Sequence, residues 1–216
     1  MSSLSDLTPG MIGFGPIHGA AGALVNVGQL MLGEGFRVGR LDIRHVFVVT
    51  EPLTGGDVGV VEAMPSGARH VWADGRWTPE YAYVCLPEDY PGQAADAAAI
   101  ARAMVGTPYS FASYAALAAW RFGFLRGKYL PDGTYQPSKL EAWIDRRGDE
   151  QTRWGTGSGQ ASFMPKEMIC SVLADQAWAL TGKQVMPKGT PHQCVTPGAL
   201  AAALLEMPGA QWVWPS

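Results

Sequence analysis

Charge is scarce in this chain, and so are histidine and cysteine. Only 16% of its 216 residues are Asp, Glu, Lys or Arg, and 16 basic against 19 acidic residues leave a net charge of −3. Without a basic surplus there is no electrostatic case for nucleic acid or for an anionic membrane surface. Three cysteines, Cys85, Cys170 and Cys194, cannot all pair, and their spacing is not a disulfide framework. At least one thiol is therefore free, which fits a reducing compartment or a protein that uses it. Long apolar runs are missing too. The longest, around 19–32, is too short and glycine-rich to span a bilayer. The first ten residues lack the basic and apolar regions of a signal peptide. These absences predict a soluble cytoplasmic product with no transmembrane segment. Action outside the cell would need delivery by another machine, such as a lysis system or a phage particle.

What is present is a hydrophobic content of 47%, enough for one substantial core, and a single domain is expected over 1–216. Short strands are predicted at 11–15, 43–50, 58–63 and 81–86, with 51–57 as a connecting loop full of turn formers. Helices are predicted at 22–32, 93–105 (closed by Gly106), 113–122 and 165–181 (closed by Gly182). Thr196-Pro197 offers an N-cap and a first-turn proline for a last helix reaching about 205. From 126 to 164 the chain turns polar, glycine-rich and weakly periodic. That stretch reads as an insertion or lid over a cleft.

Three residues carry the chemistry. Cys170 falls in the first turns of the 165–181 helix, where unpaired N–H groups and the helix dipole favour a thiolate. His45 interrupts one apolar strand and Glu62 the next. The two are symmetric about position 53.5, close to the centre of the 51–57 loop. Antiparallel pairing would therefore set them opposite or nearly so. His45 is expected to share a face with Ile43, Phe47 and Val49, and Glu62 with Val58 and Val60. A carboxylate on an apolar face needs a partner, and an imidazole supplies one. Each residue alone has a plainer reading, as a satisfied core histidine, a solvated carboxylate or inert thiol packing. Together, a helix-borne thiol, a strand histidine and a strand carboxylate are the parts of a cysteine hydrolase.

The order of short motifs supports the same reading. Thr8-Pro-Gly-Met-Ile-Gly-Phe14, Arg44-His-Val-Phe-Val-Val49, Val60-Val-Glu-Ala63, Gly106-Thr-Pro-Tyr-Ser110, Ile169-Cys-Ser-Val-Leu173 and Thr196-Pro-Gly-Ala-Leu200 follow one another along the chain. This succession resembles the circularly permuted branch of the NlpC-type papain-like superfamily, the YiiX-like cysteine hydrolases, over most of the chain outside 126–164. The resemblance implies an α+β papain-like fold with a small antiparallel sheet packed against helices. It makes Cys170 the nucleophile, His45 the general base and then acid, and Glu62 the group that orients the ring. Tyr109 would line the site and bind the substrate carbonyl or oxyanion. Four positions depart from the branch's pattern, at Met11, Arg44, Phe47 and Val172. Of these, Arg44 sets a charge and Phe47 bulk beside the substrate.

The implied reaction is thiol-dependent cleavage of an amide bond, with a peptidoglycan peptide as the substrate. An acyltransferase or thioesterase acting on a lipid or small-molecule ester is the alternative enzyme. A non-catalytic binding or structural module, such as a phage particle component, is the alternative outside enzymology. No cofactor is expected. His192 and Cys194 offer two candidate metal ligands, too few for a zinc site.

Overall fold

A computed structural model describes residues 7–17, 37–38, 41–54, 57–73, 76, 78–110, 128–131, 134–136, 168–186 and 195–215. The expected helices at 22–32 and 113–122, the His192–Cys194 pair and most of the 126–164 insertion lie outside these residues. The architecture is α+β, a six-stranded antiparallel sheet with three helices among the described residues. In chain order the elements are β1 (Ile12–Gly15), β2 (Arg37–Val38), β3 (Leu41–Asp42), β4 (His45–Thr54), β5 (Asp57–Met64), β6 (Gly67–Ala73) and β7 (Ala82–Cys85). Then come α1 (Gln93–Ala103), β8 (Lys128–Tyr129), β9 (Tyr135–Gln136), α2 (Cys170–Ala179), α3 (Pro197–Glu206) and β10 (Gln211–Val213). The main sheet runs β10-β7-β1-β4-β5-β6, and β2-β3 and β8-β9 form two separate pairs.

Alternation along the strands gives the sheet two apolar faces. Ile12, Phe14, Val46, Val48, Val61, Ala63 and Val84 share a core with Ala97 and Ala101 of α1, Leu173 and Ala177 of α2, and Leu200 and Leu204 of α3. Phe47, Val49, Val58, Val60 and Tyr83 form a second cluster with Leu7 and Met11. Each fully buried Val, Leu or Ile contributes about 1.5–3 kcal/mol. The alanine-rich face of α1 lets that helix sit close to the sheet and to α2. Trp178 of α2 donates its indole N–H to the carbonyl of Gly10, 3.0 Å away. Gly10 has φ +91°, and a Cβ there would lie 2.4 Å from the carbonyl oxygen of Ala94, so glycine is required at this crossing.

Four sequence expectations need correction. The 51–57 loop is largely strand, because β4 continues to Thr54 and pairs it with Asp57. The helix expected from 165 begins at Cys170, since Met168 is extended and bridged in parallel to Tyr109. Ile43 belongs to the helix-side core rather than to the face of Phe47 and Val49. In the main sheet β6 and β10 have no counterpart among the expected elements, and neither do the short pairs β2-β3 and β8-β9. The last helix follows its expected signals: Thr196 accepts from the Ala199 N–H at 3.1 Å, and Pro197 opens the first turn.

Candidate active site

β4 and β5 bring His45 and Glu62 together, but by a diagonal route. Phe47, not His45, stands directly across from Glu62, and the ladder shifts register between Val49 and Glu51 and again between Glu51 and Thr54. The pairing therefore sits two residues from the one that loop symmetry suggests. An even offset preserves the face, whereas a slip of one would have turned the two side chains apart. His45 Nε2 lies 2.8 Å from Glu62 Oε2, and both residues are buried.

Glu62 is 1% exposed, so its charge has to be met inside the protein. Arg69, its neighbour across β5 and β6, donates from Nε at 3.0 Å and from Nη2 at 2.8 Å to Oε1. Arg76 donates from Nη2 to Oε2 at 2.8 Å, sharing that oxygen with His45. Burial opposes the carboxylate's charge, yet His45 and the two arginines outweigh it and hold Glu62 well below the usual carboxylate range.

Cys170 is the first residue of α2, with Ile169 as an extended N-cap. Its own N–H belongs to the helix's unpaired first turn. Burial by itself would lower the His45 pKa, but the Cys170 sulfur and the Glu62 carboxylate raise it from 6.5 to about 9. A charged ring carries a hydrogen on each nitrogen. Nε2–H donates to Glu62, while Nδ1 is buried without a hydrogen-bond partner among the described residues. The Cys170 sulfur stands close enough to the ring to favour its proton. Cys170 is 1% exposed and His45 4%, so the three groups meet in a closed site.

Backbone hydrogen bonds lock the segments around Cys170. Ser110 N–H donates to Met168 O, and Met168 N–H to Pro108 O, both at 3.0 Å. This places Tyr109, half-buried against the core, beside the strand that enters Cys170. The same turn reaches β6, where Ala68 N–H donates to Thr107 O and Gly106 N–H to Ala68 O, both at 2.8 Å. Next to Cys170, Ser171 Oγ donates to Val195 O at 2.6 Å and ties α2 to the entry of α3. Arg44 precedes β4, half-buried, with its N–H on Gly15 O. Phe47 is fully buried and packs under Arg76, whose guanidinium carbon is 4.8 Å from the ring centroid. Met11 turns inward, and its sulfur accepts from the Thr8 N–H at 3.4 Å.

The arginines on Glu62 carry no signal in the motifs. Arg69 lies on a strand that the sequence does not announce, and Arg76 follows it outside any periodic segment. A further histidine–carboxylate contact, His70 Nε2 to Glu51 Oε2 at 2.6 Å, pins β6 to β4, and Arg102 of α1 also pairs with Glu51. Among the described residues no three His, Cys, Asp or Glu side chains group as metal ligands, and no helix is long and apolar enough to cross a membrane. Comparison with protein-family models, curated proteins and solved structures gave no match.

Proposed function

We propose that the protein is a papain-like cysteine hydrolase of the permuted NlpC type, cleaving an amide bond through Cys170, His45 and Glu62. The observation that carries this reading is the meeting of a helix-terminal sulfur with an imidazole whose far nitrogen is held by a buried carboxylate. In such a site the sulfur attacks the substrate carbonyl, and the Cys170 N–H is placed to donate to the developing oxyanion. His45 then passes its proton to the leaving amine, and water releases the acyl group with the ring as base. Glu62 holds the ring's orientation and balances its charge throughout. Tyr109, Arg44 and Phe47 are the residues assigned to substrate contact or to shaping the cleft. The resemblance of the motifs favours a peptidoglycan peptide as the substrate.

The complete burial of the sulfur favours a second reading, a structural or binding module that keeps the fold without turnover. Two measurements separate the readings. Purified peptidoglycan is incubated with wild type and Cys170→Ala, and iodoacetamide labelling is mapped by mass spectrometry with and without His45→Ala. Hydrolysis predicts released peptides that vanish with Cys170→Ala, and Cys170 labelling that falls with His45→Ala. Cys85 serves as internal control, because burial and Glu88 push its thiol up. Labelling of Cys170 on ester probes without wall cleavage would move the substrate to an acyl ester. Equal, slow labelling of both cysteines, unaffected by His45→Ala, would remove the enzyme reading.

A further inference from the structure

We infer that Arg76 is a positioning residue: braced on the Phe47 ring, it holds in place the one oxygen of Glu62 that carries the His45 imidazole. The inference rests on the hydrolase reading for its catalytic meaning, but its geometry stands apart from it.

Glu62 offers two oxygens, and the two arginines divide them. Arg69 takes Oε1 with two nitrogens from a half-exposed position, whereas Arg76 takes Oε2 beside His45. Only Arg76 therefore touches the atom on which the ring's orientation depends. Three contacts fix Arg76 itself. Its Nη2 is 2.8 Å from Oε2, its guanidinium carbon lies 4.8 Å from the Phe47 centroid, and its backbone carbonyl accepts from the Tyr83 hydroxyl at 2.7 Å. The Phe47 ring is in turn 6.2 Å from that of His45, so one aromatic surface supports both cations.

Charge balance on the buried Glu62 accounts for a cation here but not for where it is held, since Arg69 already meets the other oxygen with two nitrogens. Arg76 Nη1 is buried with no partner among the described residues, so the guanidinium is placed for the Glu62 contact and not for its own full hydrogen bonding. What the guanidinium adds is a planar donor that stops the carboxylate from rotating off the imidazole. The titratable side chains that act on the ring are Cys170 from α2 and Glu62 from β5, and, through Glu62, the guanidinium groups of Arg69 from β6 and of Arg76 act on it as well.

Positioning and plain charge predict opposite signs. Removing a nearby cation by itself raises the pKa of a histidine, whereas loosening the carboxylate that holds the ring lowers it. The test follows the His45 ring by 15N NMR across pH in wild type, Arg76→Ala, Arg76→Lys and Arg69→Ala, with His45 assigned from His45→Asn. Circular dichroism checks that each variant is folded. The expected result is a His45 titration that falls below 9 toward 6.5 in Arg76→Ala and partway in Arg76→Lys. Arg69→Ala should leave it in place or raise it. Cys170 alkylation at pH 7 should drop about 10- to 100-fold in Arg76→Ala, with recovery on adding guanidinium ion below denaturing concentrations. An unchanged or raised titration in folded Arg76→Ala overturns the inference, and Arg76→Lys decides by the same sign if the alanine variant does not fold. Wild-type alkylation that ignores His45 would sink the hydrolase reading instead, and the NMR result would still decide the role of Arg76.

Discussion

Phe47 fills the space above Gly13, its partner across β1 and β4: a Cβ on Gly13 would lie 2.1 Å from the Phe47 ring. The ring's neighbours include Arg76 above it and the rings of His45, Tyr81 and Tyr83. The missing side chain at Gly13 thus lets an aromatic ring lie low enough to support the cation on Glu62. Gly13→Ala should push the ring outward and destabilise the fold by about 1–3 kcal/mol, as overpacking does. Urea denaturation measures it. A loss under about 0.5 kcal/mol would mean that Phe47 can move aside freely.

Stability should peak in mildly acidic solution. His45 is raised from 6.5 to about 9 in the folded chain, so its contribution is complete below 6.5 and is lost as pH rises through 9. Glu62 is depressed from 4.5, so its contribution is complete above 4.5 and is lost as pH falls through its lowered folded value. The plateau therefore spans 4.5 to 6.5. Denaturation midpoints should decline above it, by on the order of 1–3 kcal/mol up to about pH 9.5. A midpoint that holds constant from about pH 6 to 9.5 would show that folding does not raise the ring's pKa.

Glu62→Gln should be among the most damaging single changes. It leaves two guanidinium groups and an imidazolium facing a neutral amide, at a cost of about 3–5 kcal/mol for a broken buried pair. The same variant should lose part of the alkaline decline in stability, because His45 keeps Cys170 beside it but no longer has a carboxylate to hold its proton. Thermal melts at about pH 6 and pH 9 test both points. A Glu62→Gln variant as stable as wild type would show that the arginines are solvated rather than committed to the carboxylate.

Two structural bonds outside the site give smaller effects. Thr196→Ala removes the cap of α3 and should cost about 1 kcal/mol, with Thr196→Ser largely neutral. Trp178→Phe leaves the Gly10 carbonyl without its indole donor and should cost about 1–3 kcal/mol. Both are read from denaturant midpoints. Equal stability of the Ala and Ser variants at 196 would remove the capping role.

The parity of the hairpin is legible in the sequence even though its register is not. His45 and Glu62 each sit among apolar residues on alternating strands, so any even offset leaves them on one face. The two-residue shift arises from irregular pairing around Glu51, which loop symmetry cannot encode. The helix start is easily misread because Pro165 looks like a first-turn proline. Tertiary pairing of Met168 with Tyr109 instead keeps the chain extended up to Ile169. β6 is hidden because Arg69 and His70 are adjacent polar residues and break the alternation that marks a strand. They point to opposite faces, one to Glu62 and the other to Glu51. With β6 goes Arg69, and Arg76 lies beyond the end of that strand.

The backbone stitching at 106–110 has a further mechanical meaning. Ala68, beside Arg69, is bonded to the Gly106–Thr107 turn, and the same turn continues into Pro108–Ser110, bonded to Met168 just ahead of Cys170. The strand that grips the carboxylate and the segment that presents the sulfur are therefore one clamped unit. Parting these two means breaking one of two paired sets of main-chain bonds, either the pair on Ala68 or the pair on Met168. Any motion that uncovers the buried sulfur while keeping these bonds leaves this seam as a fixed frame.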